Sequence, residues 1–352
     1  MIHTNGQAAG RICRPAFTSV RSATLVLATA LLAAGDLQCA AEAHGFLEGQ
    51  SAPSVTQARN ALQSGEADKA LALLKTMSQS GSGQAEAANI ECRVRLTLVQ
   101  WEAAITQCQR AVQLDGQNSS YHLWLGRALG EKADRASFLN AFSLAKRVRS
   151  EFEEAVRLDP RNADALADLG EFYEEAPGVV GGGIDKATTI AGQLDKVDPA
   201  RAHELRAKIA EQGKDYDSAE RELKLSITTG LHPAPHFADL AAFYKHRQRW
   251  TEMETAIHGA EAAADRDRTS AVALFDGASL LMETHRDPSL AAKMFDDYLG
   301  GPGKSEEAPA FVAYLRLARL KDQLGDTAAA NQDRAAAHAL ATEYKPGEDG
   351  KH

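Results

Sequence analysis

Three groups of residues in this 352-residue chain have types and spacings that could do chemistry. Gly178, Gly181, Gly182 and Gly183 lead into Asp185, and backbone N–H groups at a helix start attract anions. A phosphate loop, however, needs Gly-x4-Gly-Lys-Ser/Thr after a strand. No lysine stands in that place, and Asp185 in the first turn would repel phosphate. His232 and His236 have the spacing of a helical metal pair. Pro233 and Pro235 argue instead for a loop, and no cysteine or second carboxylate–histidine motif completes a tetrahedral set. No metal and no cofactor are therefore expected. There is no Gly-x-Ser-x-Gly elbow and no Cys–His signature. Glu153, Glu154, Glu174 and Glu175 read as solvated helix faces. The expectation is a protein that is not an enzyme. The rival reading, a small-molecule or anion-binding protein or an enzyme, would centre on the glycine loop 178–183.

The elements that must position these residues follow a repeat. "AAITQCQRAVQLDG" at 103–116 and "FEEAVRLDP" at 152–160 are second halves of units whose first halves carry Leu125-Gly126 or Leu169-Gly170-Glu171-Phe172-Tyr173. Leu-Gly, an aromatic, Ala, Phe, Ala and Asp-Pro, recurring at about 34 residues, is the signature of the tetratricopeptide repeat, an antiparallel helix pair. The frame fits about eight units over 51–343. Aromatics make up only 6% of the chain, and no long stretch alternates apolar with polar residues. The fold class expected is all-α, a right-handed superhelical solenoid of antiparallel helix pairs. Small residues at crossing points (Ala104, Gly126, Gly170, Ala187, Ala219) let paired helices approach. Leu125, Phe152, Leu169 and Tyr173 fill the grooves, and each unit's apolar face is covered by its neighbour. Pro160 and Pro199 read as helix stops, and 344–352 as a disordered tail.

First helices of such units line the concave face. In this frame Asn89, Arg93, Leu123, Trp124 and Arg127 take groove-facing or groove-edge positions, with Arg93 and Arg127 equivalent and therefore neighbours. Arg and Trp are enriched in binding hot spots. Unit four adds Asp164, Asp168, Glu171 and Glu175, so the surface passes from basic to acidic. One reading makes these residues a partner surface; the other pairs Arg93 and Arg127 with the acids. The lysine-and-asparagine carboxylate clamp of chaperone-binding units is missing at matching positions, which disfavours a chaperone C-terminus as partner.

Cys92 and Cys108 fall in one hairpin. An oxidising compartment allows a bridge between them. Helix axes about 8–10 Å apart and an offset of one turn favour two reduced core cysteines instead.

Two units exceed the period between their helices, near 130–145 and 176–183. The first lengthens a helix through Phe138, Leu139 and Phe142; the second inserts "APGVVGGG". Both emerge on one edge, so Val179 or Val180 is expected to cover Phe138 or Phe142, unless that apolar edge is itself a docking site. Segments 141–160 ("AFSLAKRVRSEFEEAVRLDP") and 172–187 ("FYEEAPGVVGGGIDKA") resemble a group of exported bacterial tetratricopeptide proteins. The resemblance implies fold and export, and it brings no activity with it.

Arg11, Arg14 and Arg21 precede an apolar run at 23–34, too short for a membrane span of roughly 20 residues, and Ala41-Glu42-Ala43 offers a cleavage site. Residues 1–43 read as a signal peptide and 44–50 as a linker, so the mature protein is exported, periplasmic or secreted. Asp36 and Gln38 before Cys39 argue against a lipoprotein. Loss of the leader moves the formal net charge from −9 to −10. That opposes nucleic-acid binding and leaves a protein or peptide as the expected partner, with no membrane span in the mature chain. The sequence leaves the oligomeric state open.

Overall fold

The computed structural model describes residues 54–77 and 83–345. The leader 1–43, the linker 44–50 and the end of the tail lie outside the described residues. Eight helix pairs follow one another: α1 (Val55–Gln63) with α2 (Ala67–Thr76), α3 (Gln84–Thr97) with α4 (Trp101–Leu114), α5 (Ser119–Ala133) with α6 (Phe138–Leu158), and α7 (Ala163–Glu175) with α8 (Ile184–Leu194). After these come α9 (Pro199–Gln212) with α10 (Tyr216–Thr229), α11 (Pro233–His246) with α12 (Trp250–Arg266), α13 (Val272–Glu283) with α14 (Pro288–Gly300), and α15 (Ala310–Gln323) with α16 (Thr327–Leu340). No strand occurs among the described residues.

Local chemistry sets the ends of these helices. Ser54, Asn118, Asn162, Asp198, Asp215, Asp287 and Asp326 each accept a backbone N–H of the first turn with the side chain, satisfying donors that the helix leaves unpaired. Six of the eight intra-pair turns are built alike. Gly65, Val99, Lys214, Gln248, His285 and Gly325 have positive φ, and the N–H of each following residue reaches back to the carbonyl five residues earlier, as in Glu66 to Ala61 at 2.8 Å and Gln100 to Arg95 at 2.9 Å. This is the left-handed helix closure that glycine favours. Four of the positions hold an L side chain at a cost of about 1 kcal/mol each. The two pairs without this closure are α5–α6 and α7–α8, the pairs with insertions.

Packing follows the small-residue pattern. Ala104, Ala187 and Ala219 are fully buried, and a Cβ on Gly126 or Gly170 would collide with Phe152 or with Leu205. The odd-numbered helices touch one another along the array (α1 with α3, α3 with α5, α5 with α7, α7 with α9, α11 with α13, α13 with α15), whereas even helices of adjacent units do not pack comparably. The odd helices therefore lie inside the curve.

The curve closes. Phe311 of α15 and Ala337 of α16 share one apolar cluster with Ala58, Leu62, Ala70, Ile90 and Val94 of α1–α3. Polar contacts fasten the same seam: Thr342 N–H and Oγ1 donate to Asp68 Oδ2 at 3.0 and 2.7 Å, and Arg95 Nη1 meets Glu343 at 2.9 Å. Tyr344, assigned to the tail by its sequence, packs at a tilt against Phe311 with ring centroids 4.9 Å apart.

Four expectations are corrected. Cys92 and Cys108 are joined by a disulfide with Cα atoms 5.2 Å apart. Axis separation was the wrong ruler, because Cα atoms facing each other lie inside their axes by about 2.3 Å each. Pro199 and Pro233 open helices rather than ending them or forming a loop, since a first-turn proline lacks only an N–H that has no partner there. Phe138 and Leu139 remain 84% and 79% exposed, and Val179 71%, so the glycine segment does not cover the start of α6. The segment crosses α6 near Arg149, whose Nη1 donates to the Val180 carbonyl at 3.1 Å, about 16 Å along the helix from Phe138 at 1.5 Å per residue. Glu174 is buried rather than solvated.

Candidate binding surface on the inner helices

The odd helices carry charged residues that bridge successive units. Arg127 of α5 donates to Asp168 of α7 through Nε at 2.6 Å and Nη2 at 3.1 Å. Asp164 of α7 accepts from Arg201 Nη1 of α9 at 2.7 Å. Glu171 of α7 pairs with Lys208 of α9, and His236 of α11 with Glu204 of α9. Burial pushes the Asp168 carboxyl up, and the Arg127 guanidinium opposes that shift. The Glu174 carboxyl is pushed up to about 7, first by burial and then by the neighbouring Glu175, with Lys208 acting the other way.

Arg93, Trp124 and Arg127 do sit together. Both guanidinium groups lie over the Trp124 ring, with Cζ of Arg93 and Arg127 at 4.8 and 4.7 Å from its centroid, within cation–π range. Arg127 turns to Asp168. Arg93 turns to Glu306, in the loop before α15, through Nε at 2.9 Å and a second contact from Nη2; Gln63 Nε2 also donates to Glu306 at 2.7 Å. Both arginines, Asp168 and Asn89 are buried, and Leu123 is core. Internal pairing is the reading that this geometry supports for the arginines. Of the acids singled out, Glu175 is exposed and Glu171 half-buried, so the inner face offers these to solvent. Glu306 could not be found from the local repeat, because its partner lies across the seam.

The glycine loop is spoken for by its own backbone. The N–H groups of Val180, Gly181, Gly182 and Gly183 donate to the carbonyls of Pro177, Gly178, Pro177 and Tyr173, and the Gly181 carbonyl accepts from Lys186 Nζ at 2.7 Å. Cations face its carbonyls, and none of these four N–H groups is turned outward as a phosphate cradle requires. Gly182 has no room for a Cβ beside the Ala176 carbonyl, which accounts for its identity. Val180 is buried at 4% exposure, and Phe142 lies under Lys146 Nζ at 4.4 Å from the ring centroid.

His232 and His236 do not converge. His232 stands at the N-cap position of α11, where its ring turns to Asp267 instead of capping the helix, while His236 joins Glu204 and Asp239 in a group whose ligand atoms lie within 4.8 Å of one another. Among the described residues these three have the donor set to hold a metal ion. Their nearness was hidden in the sequence, since Glu204 comes from the preceding unit.

The architecture is a tetratricopeptide-like solenoid. No family profile and no curated protein matches this sequence. Solved structures similar to it include a thermophilic tetratricopeptide protein of Thermus thermophilus, at 20% identity over 56% of this chain and 99% of that one, with a TM-score of 0.41. A tetratricopeptide repeat protein of Parabacteroides merdae shows 14% identity over 76% and 97%, with a TM-score of 0.42. The MamA protein shows 18% over 50% and 91%, with a TM-score of 0.37. No helix among the described residues is long and apolar enough to cross a membrane.

Proposed function

We propose that this chain is a non-enzymatic scaffold of the cell envelope that takes a polypeptide partner on its inner helix face. The observation that carries the reading is the row of charged side chains that α7 and α9 present there. Asp164, Glu171, Glu204 and Lys208 bridge neighbouring helices while each side chain keeps between 22% and 26% of its surface exposed. Partly wet ion pairs of this kind fix register and orientation for a charged segment. Exposed Glu175 extends the acidic side of the row, which suits a basic stretch of partner chain. The leader at 1–43, outside the described residues, supports export. A disulfide between Cys92 and Cys108 suits an oxidising compartment.

Capture from envelope extract tests the proposal. One stoichiometric polypeptide should be recovered, and Glu171→Lys with Glu175→Lys should release it at unchanged helicity. A melting shift with nucleotides or phosphate compounds, without protein capture, would favour the small-molecule reading.

A further inference from the structure

We propose that Glu204, His236 and Asp239 form a divalent transition-metal site on the inner face, tying α9 to α11. Three side chains from two units converge there. His236 and Asp239 are three residues apart on α11 and so share a face of the helix. Glu204 reaches them from α9, accepting from His236 Nδ1, with the Asp239 carboxylate beside it. All three ligand atoms lie within 4.8 Å of one another; bonds of about 2.0–2.2 Å to nitrogen and carboxylate oxygen span at most about 4.4 Å, so a bound cation draws the three side chains slightly together.

The imidazole is held for this role. Its far edge, Nε2 and Cδ2, packs on the backbone of Gly230, where no Cβ would fit, and this aims Nδ1 at the carboxylates. Without a cation, Glu204 and Asp239 face each other across one imidazole, and Asp198 also acts on His236. Arg201 acts on Glu204 from one turn away and also donates to Asp164. One nitrogen and two carboxylate oxygens suit zinc and its first-row neighbours better than calcium or magnesium, which prefer all-oxygen sets. The Glu204 side chain, 22% exposed, leaves the site open to ions entering from the inner face.

The test is calorimetric titration of untagged, chelator-stripped mature protein, its Cys92–Cys108 bridge intact, with zinc sulfate at neutral pH. One zinc should bind per chain. Asp239→Asn and His236→Gln should each weaken binding at least tenfold, and His232→Gln should leave it unchanged. Absence of saturable one-to-one binding would overturn the proposal. So would full affinity in Asp239→Asn, a near-isosteric change whose folding circular dichroism can verify, or loss of binding in His232→Gln.

Discussion

Arg93 and Glu306, separated by 213 positions in the chain, meet in a buried two-point ion pair. The pair fastens the second helical hairpin to the loop that precedes the last one. It turns a linear array into a closed one, and it withdraws an arginine of hot-spot type from the surface that its repeat position would give it. Removing one partner of a buried pair strands the other charge, so this contact sits where the closure is most sensitive.

Glycines at equivalent turns offer an internal comparison. Gly65 and Gly325 both have positive φ, but a Cβ on Gly65 would lie 2.6 Å from the Ala310 backbone nitrogen, while Gly325 faces open space. Gly325→Ala should cost about 1 kcal/mol for the left-handed backbone. Gly65→Ala should cost about 2–3 kcal/mol, because the seam must shift as well. Equal losses in urea unfolding would mean that the ends do not touch.

For the disulfide, thiol labelling of unfolded, unreduced protein should leave Cys92 and Cys108 unlabelled. Replacing both by alanine should cost roughly 3 kcal/mol, the value for closing a loop of about 15 residues. Labelling of both cysteines before reduction would refute the bridge.

Glu174 gives the fold a pH dependence of its own. Its carboxyl holds a proton more tightly in the folded chain than in the unfolded one. The stability it contributes is therefore full below the ordinary value of 4.5 and lost as pH rises through about 7. Glu174→Gln should flatten the stability profile over that window and gain roughly 2 kcal/mol at pH 8. A variant whose profile stays parallel to that of the parent would remove Glu174 as the cause.

At the start of α6, Phe138 and Leu139 are exposed enough that Phe138→Ser with Leu139→Ser should change stability by no more than about 0.5 kcal/mol. If this edge is a second contact for the partner, capture should weaken in the same variant. A clear fall in melting temperature would mean that the two side chains are packed in solution.

The hairpins were legible because each is decided locally. Gly126 beneath Phe152 needs only a helix and its partner, and the repeat states it; Gly170 is legible as a close-approach position, although what it lies against first is Leu205 of the next unit. Trp124 beside Arg93 and Arg127 was legible for the same reason, since equivalent positions one repeat apart become neighbours. The destination of Arg93 was not, because Glu306 lies six units further on and depends on curvature summed over the whole array. Glu204 with His236 was missed on narrower grounds: Pro233 and Pro235 were read as excluding the helix turn that places His236. The path of the glycine segment was missed because apolar Val179 was expected to find apolar Phe138, whereas the contact made is from the Arg149 guanidinium to a backbone carbonyl.

A double-mutant cycle on Arg93→Ala and Glu306→Ala, read by urea unfolding, tests the closed array most directly. Each single change should cost about 3 kcal/mol or more. The pair should show a coupling of about 1.5 kcal/mol or more, within the range for residues in contact. Effects that add to within about 0.5 kcal/mol would show that the two residues do not meet, and would contradict the closure of the solenoid.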